Sequence, residues 1–381
     1  MVVHSATISM VPSRSTSSQV TPALNWPKTT ELLGITLNLS PLADSEAYPQ
    51  YVIGLHAWFL EQVRQYSPQL SQELHDNQTE KAFTLSALLD PQNPWSRTLK
   101  LQAGQVYQWQ ITALSRPVVQ WLTLWLKSLP STLPLRTAPL QIQNWSISHP
   151  PLTYRKLAQL PARTSHMPLS FISPTSFRHK GNHLPLPAPV NIFHSYLRRW
   201  NVFSPDPVNA DHFLQWVDES VIIVRHQFHS VKTIAAKKGA VTGFVGAVEF
   251  GLSPKGRAHT DYAPLYQVLG RLAPYCGTGH KTTFGLGQTR WGWPAEIAVQ
   301  VATRSDVLAQ RIDQLTQQFM TQRQRQGGER TPRVSATWAT ILARRELGEG
   351  LEQIATDLEM PYATVKTYVK LARRALRSER A

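Results

Sequence analysis

From residue 33 to residue 142 the hydrophobic period switches between two and about 3.6 in one fixed order, and few folds accept that order. Leu33-Gly34-Ile35-Thr36-Leu37-Asn38-Leu39 alternates apolar and polar residues, as a half-buried strand does. Val52, Leu55, Phe59, Val63 and Tyr66 then recur at helical spacing, which predicts an amphipathic helix over 49–66. Alternation returns at Phe83, Leu85 and Ala87 and again at Tyr107, Trp109, Ile111 and Ala113. A second helical face, Val118, Leu122, Trp125 and Leu129, precedes a closing strand at Leu140 and Ile142. Strand, helix, two strands, helix and strand make the split βαβ, or ferredoxin-like, unit.

A proline-rich connector follows (Pro150, Pro151, Pro161, Pro168, Pro174), and a comparable rhythm resumes. Strands are expected at 169–172, 221–225, 228–234 and 241–250. One helix carries Phe193, Leu197 and Trp200, and another spans 262–275 with Leu265, Leu269 and Leu272 inward. A glycine-rich loop and a last strand through Trp291 complete the pattern. The fold class expected is therefore α+β, with tandem ferredoxin-like (RRM-like) domains and an all-α domain at the end. The divisions are a disordered or extended tail (1–28), a first unit (29–148), a second (149–294), a helical linker (295–332) and a helix-turn-helix domain (333–381). In the last of these, Met360-Pro361 separates two helices, because proline cannot continue one but suits the start of the next. Leu351, Ile354, Ala355 and Leu358 then face Val365, Val369 and Ala372.

Charge says where an anionic partner would sit. The chain carries a formal +15, and the excess is uneven. Residues 1–148 hold 9 basic and 8 acidic side chains, residues 149–294 hold 16 and 6, and residues 295–381 hold 14 and 10. The middle third is thus the main cationic surface. Disulfides are excluded by a single cysteine, Cys276. No apolar run approaches the roughly 20 residues of a membrane helix, and the N-terminus lacks the apolar stretch of a secretory leader, so a cytoplasmic protein without membrane contact is expected.

The most specific stretch runs from Tyr275 to Arg290, with glycines at 277, 279, 285 and 287. It follows a helix and precedes a strand, the reverse of a dinucleotide fingerprint. His280 separates Gly279 from Lys281, so it is not a Walker A loop either. Glycines let a backbone approach a phosphate closely, and Lys281 and Arg290 add charge. Equally, such a loop can simply close a sheet.

Residues 277–287 resemble the C-terminal glycine-rich loop of the CRISPR-associated RAMP superfamily, and most closely its endoribonucleases that process CRISPR precursor RNA. Further stretches carry the same resemblance. They are Leu74-His75-Asp76 with Lys81-Ala82-Phe83 and Ser86, Ala103-Gly104-Gln105-Val106-Tyr107-Gln108-Trp109, and Ser173-Pro174-Thr175-Ser176-Phe177-Arg178, with Arg199-Trp200-Asn201 and Thr242-Gly243-Phe244-Val245-Gly246. It covers roughly residues 29–294, and the family is built of two ferredoxin-like units, in agreement with the periodicity.

The resemblance implies metal-independent cleavage within the repeat by the ribose 2′-hydroxyl, leaving a 2′,3′-cyclic phosphate and a 5′-hydroxyl. Such chemistry needs a base, an acid and cations against the developing charge, and imidazole suits the proton transfers. His75 and Lys81 match the family's catalytic placement. Some members add a tyrosine on the first helix, where this chain has Gly54-Leu55-His56-Ala57-Trp58; His56 is the candidate substitute. The bland readings are that His75 ends its helix against the dipole and that His56 is a surface residue. No cofactor and no metal are expected, for cysteines are lacking and carboxylates sparse.

Candidates for RNA contact are Arg178, Lys180, Arg198, Arg199, Lys237, Lys238, Gly277, Gly279, His280, Lys281, Thr282, Thr283, Gly285, Gly287 and Arg290. The helix-turn-helix resembles the DNA-binding domain of sigma factors and response regulators. Lys366, Lys370, Arg373 and Arg377 share one stripe of it as nucleic-acid contacts. Partners expected are CRISPR repeat RNA, with other effector subunits and DNA left open. Two other classes stay open at this point: a non-catalytic RAMP subunit that coats guide RNA, and a helix-turn-helix regulator of transcription.

Overall fold

A computed structural model describes residues 24–75, 80–89, 99–161, 166–234, 239–293, 304–324 and 331–377. The expected tail up to residue 23, and the candidates Lys237 and Lys238, lie outside the described residues. Leu24 and Trp26 pack against the first core, the Trp26 indole N–H donating to Thr123 Oγ1 at 3.0 Å.

The first unit runs β1 (Leu32–Pro41), β2 (Ser45–Glu46), α1 (Tyr51–Tyr66), α2 (Pro68–His75), β3 (Phe83–Leu89), β4 (Lys100–Leu101), β5 (Tyr107–Ala113), α3 (Arg116–Trp125), β6 (Thr132–Leu133) and β7 (Leu140–Leu152). Its antiparallel sheet has the order β3-β5-β1-β7-β6, the ferredoxin-like order with a two-residue addition. Alternation fixes the register: Leu33, Ile35, Leu37 and Leu39 lie opposite Ala113, Ile111, Trp109 and Tyr107, all buried. Helices α1 and α3 cover that face with Phe59, Val63, Leu122 and Trp125. Phe59 stacks on Phe83 with ring centres 4.6 Å apart, and its loss to alanine would cost about 3–5 kcal/mol.

The short helix α4 (Tyr154–Gln159) leads to the second unit: β8 (Met167–Thr175), β9 (Phe177–His179), β10 (Asn182–Leu184), α5 (Pro189–Phe203), α6 (Ala210–Ser220), β11 (Val221–Thr233), β12 (Val241–Leu252), α7 (Pro254–Arg257), α8 (Tyr262–Cys276) and β13 (Thr289–Trp291). The sheet order, β11-β12-β8-β13, repeats the first unit's. The two strands expected at 221–225 and 228–234 are one strand, β11. A register shift between Ile223 and Arg225 accommodates an extra residue without ending the pairing to β12.

Helices α9 (Arg304–Gln324), α10 (Thr331–Glu346), α11 (Leu351–Asp357) and α12 (Tyr362–Arg377) complete the chain. The stretch read as a linker contributes to this core: Leu308, Ile312, Leu315 and Phe319 of α9 pack with Trp338, Leu342 and Ala372, because its apolar positions face α10. Ile341, Ile354, Leu358, Val365 and Val369 form a second cluster between α10, α11 and α12. Ile234, at the end of β11, joins the first of these clusters.

Candidate active site and nucleic-acid interface

The glycine-rich loop leaves α8 at Gly277, whose φ of +64° ends the helix while its N–H donates to Ala273 O at 2.8 Å. It then crosses from the second unit to the first. Leu85 N donates to Thr282 O and Gly285 N to Leu85 O, both at 3.1 Å, so the loop adds itself to the free edge of β3. On its other side it rests on the 173–176 block. Gly287 N donates to Pro174 O, His280 N to Ser176 O and Gln288 N to Ser173 Oγ. The two most distinctive sequence blocks are therefore one structure, a loop and its cradle.

Close approach explains two of the glycines. Gly279 sits at φ +78°, where a Cβ would lie 2.2 Å from Ser176 O; Gly287 sits at +67°, where it would lie 2.0 Å from Thr278 O. The space a side chain would need is filled by the protein's own carbonyls. Arg199, a candidate for RNA contact, is only 4 % exposed and faces inward. Its guanidinium donates to Ser195 O and Oγ at 2.8 Å and to Gly279 O at 3.0 Å, which makes it a strut of the loop. Thr282 and Thr283 are buried as well.

The loop's position matters for what lies beneath it. Phe284 stacks on His56 of α1, ring centres 4.2 Å apart and planes at 21°. Pro68 ends α1 and starts α2, Ser67 Oγ accepting from Leu70 N at 3.3 Å. The turn folds α2 back on α1, anchored by Ser71 Oγ donating to Leu60 O at 3.2 Å. His75 is the last residue of α2 and is exposed there. Lys81, just before β3, donates its ammonium to Leu74 O at 2.9 Å, drawing the β3 end up to the end of α2. His56, His75 and Lys81 are thus brought together. Burial holds His56 down at about 4, and the charges of His75 and Lys81 push the same way. Neighbouring Glu80 is engaged by Arg198 at 3.1 Å and Arg199 at 3.7 Å.

The cationic candidates divide into two places. Arg178 and Lys180 are exposed on the hairpin of β9 and β10, and the first of them lies near the loop. Burial, then Arg178, holds Lys281 down at about 8. His280 stacks on His183 at 5.2 Å and is held at about 4, mainly by burial, while its Nδ1 is 2.8 Å from Ser176 O. The other place is a hollow of about 390 Å³ between the units, lined by Gln108, Gln110, His149, Arg290 and Trp291 among others. Gln288 Nε2 donates to Gln110 Oε1 at 3.2 Å across it, and burial with Arg290 holds His149 at about 4. Lys366, Lys370, Arg373 and Arg377 lie exposed on α12.

Phe284, His149, His183 and Glu80 went unread in the sequence. Only Phe284 carried a usable signal, as one of two large apolar residues, with Leu286, in a glycine-rich and mostly polar loop. Among the described residues no three His, Cys, Asp or Glu side chains cluster as a metal site, and no helix is long and apolar enough to cross a membrane.

Two ferredoxin-like units laced together by a glycine-rich loop, with imidazoles and an ammonium under the lacing, define a RAMP-type RNA-processing protein. Family models place it more narrowly. The model described as "CRISPR Cas6 N-terminal domain" matches residues 33–157, and that described as "CRISPR-associated endoribonuclease Cas6" matches 169–289, together more than half of the chain. The chain belongs to the Cas6 family of CRISPR-associated endoribonucleases. Among solved structures it is similar to a Cas6 product complex (TTHA0078) at 26 % identity and a TM-score of 0.55, covering 68 % of this chain and 99 % of that one. The same protein in a substrate mimic complex matches at 26 % identity, a TM-score of 0.53 and the same two coverages. A Thermus thermophilus Cas6 (TTHB231) shares the fold at 22 % identity and a TM-score of 0.53, with 69 % and 99 % covered. No curated protein sequence matches the chain. The matches leave the C-terminal helices outside the two family models.

Proposed function

We propose that this endoribonuclease cuts CRISPR precursor RNA within the repeat without a metal ion, at the site formed by His56, His75 and Lys81. The 2′-oxygen bonds to the adjacent phosphorus and the bond from phosphorus to the 5′-oxygen breaks. A base takes the 2′-hydroxyl proton, and an acid protonates the departing 5′-oxygen. His56, held neutral by burial, is suited to accept that proton, and the negative phosphate arriving beside it draws its basicity back toward neutrality. His75, open to solvent at the end of α2, gives the second proton, and the Lys81 ammonium faces the charge that develops on phosphate. The observation that carries this reading is the loop of the second unit paired to β3, with Phe284 on His56, next to His75 and Lys81.

Repeat RNA is the substrate on this reading, as product and substrate mimic are for the TTHA0078 protein. Arg178, Lys180, Arg198, His280, Lys281 and Arg290 would hold its phosphates, so one unit cuts while the other supplies most of the grip. Repeat RNA incubated with the chain in EDTA tests the claim. Cleavage should persist, should stop when the scissile residue is 2′-deoxy, and should yield a cyclic phosphate. Full cutting of the 2′-deoxy substrate, or loss of cutting in EDTA, sinks the mechanism.

A further inference from the structure

The C-terminal helices have no part in the cleavage chemistry just described, yet their surface is strongly patterned. Buried along α12 are Val365, Val369 and Ala372, which seat it on α10 and α11. The opposite side exposes Ala363, Lys366, Thr367, Lys370, Arg373 and Arg377. From Pro361 to Arg377 no residue is acidic. The basic free face does not hold the bundle together, and its cations, gathered on one side of one helix, form a surface that a polyanion would favour.

We propose that α12 is a recognition helix that enters the major groove of duplex DNA, giving this ribonuclease a second nucleic-acid site. Three features favour DNA over RNA. The turn between α11 and α12 spans four residues, 358–361, and residues 361–363, 366 and 367 around the start of α12 are exposed, as a helix-turn-helix requires. With side chains a helix is about 10–12 Å across, which fits the roughly 12 Å major groove of B-DNA, whereas the major groove of A-form RNA is too narrow. Ala363 and Thr367, small and exposed near the start of α12, let its backbone approach base edges, and Lys366, Lys370 and Arg373 reach outward to phosphate or guanine. Glu352 and Glu359 flank a hollow at the head of α12, so the grip on phosphate begins one turn in, at Lys366.

The helix is also held at a fixed attitude to the nuclease body. Arg344, buried in the bundle, donates to Glu349 and Asp357, and Asp357 accepts in turn from Arg136 of the first unit at 2.5 Å. Lys232 of β11 pairs with Asp313 of α9, and Gly239 N donates to Thr340 Oγ1 at 3.2 Å. None of these contacts covers the exposed face of α12.

The test uses the full chain, titrated by fluorescence anisotropy with a short DNA duplex of mixed sequence and with the matching RNA duplex, over a range of salt. A random-sequence DNA duplex pool is selected in parallel. The expected result is tighter binding of the DNA duplex and enrichment of a defined sequence from the pool. The triple variant Lys366→Ala/Lys370→Ala/Arg373→Ala should then bind DNA at least ~10-fold more weakly, with the log–log salt slope reduced by about 3, since each neutralised phosphate contributes ~0.9. Its melting temperature and its cleavage of repeat RNA should match the parent's. Lys370→Glu alone should show the same direction of effect and guards against a folding defect in the triple. Equal binding of both duplexes overturns the proposal, and so does DNA affinity unchanged in the variants. Slower repeat cleavage with DNA binding intact would make α12 an RNA grip, which also overturns it.

Discussion

The two ferredoxin-like units share one strand order but use their edges differently. In the first, the outermost strand β3 is seven residues long and receives the glycine-rich loop as a neighbour; in the second, the corresponding edge is β11, thirteen residues long, which takes no such loop among the described residues and packs against α9 instead. Residues 1–148 are almost neutral and hold the titratable trio, whereas residues 149–294 carry most of the excess charge. On the proposed reading, the duplicated architecture divides into a half that transfers protons and a half that holds phosphate. Burial sets most of the basicity of His56, with His75 and Lys81 adding to the effect, while a strongly cationic surface binds RNA regardless of which groups could cut it.

The sharpest way to break this division is His75→Ala. It should slow cleavage by on the order of 10²–10⁴-fold and leave repeat-RNA affinity within a few-fold, read by single-turnover kinetics beside a binding titration. Weakened binding with cutting retained would place His75 in the grip instead. Next in size is Gly287→Ala. A Cβ there meets Thr278 O at 2.0 Å in a left-handed backbone, so the loop must leave its cradle. Stability should fall by roughly 1–3 kcal/mol in denaturant melts, and cutting and binding should be lost together because both halves depend on the loop.

Phe284→Ala sharpens the comparison further. Removing the ring exposes His56, which raises it from about 4 toward the ordinary 6.5. If His56 is the base, the acid limb of the cleavage profile moves to higher pH; an unmoved limb assigns the base elsewhere. A related effect concerns the whole fold. His56, His149 and His280 are each held near 4, so the unfolded chain takes up protons below about 6.5 that the folded chain refuses until about 4. Their contribution to stability is complete above 6.5 and is lost as pH falls through that window, and the melting temperature should decline there while staying flat from 6.5 to about 8, where Lys281 begins to lose its proton. The smallest effect expected is from Arg290→Ala, which should weaken repeat RNA of any sequence alike and lower the salt slope by about one.

Strands and helices whose hydrophobic period was regular could be read directly, and the strand order followed from the split βαβ rhythm. Elements short on apolar residues could not. Helix α2 offers only Leu70 and Leu74 to the first core, too short a pair to announce a period, though Ser67-Pro68 is a cap and a start in sequence. Helix α6 was missed although Asn209, accepting from His212 N at 3.0 Å, is a regular N-cap. The bulge that keeps β11 whole leaves no mark in a pattern of alternation.

Within the proposed site, His75 and Lys81 rest on the resemblance, but the direction of Arg199 is readable without it. Arg199 falls on the same helical stripe as Ile192 and Tyr196, both buried, while Arg198 falls off it. Adjacent arginines look equally available to a charge count, and only the helical phase separates a strut from a surface cation. The partnership of His56 with Phe284 joins residues 228 positions apart, and nothing local connects them.

An unpaired strand at the rim of a sheet is a template for another chain. The loop spans that rim at Leu85 and Ser86, so the segment whose Phe284 covers His56 also occupies an edge that a second chain could otherwise pair with. Damage to the loop would therefore show itself twice: as lost turnover in dilute solution, and as self-association that grows with concentration.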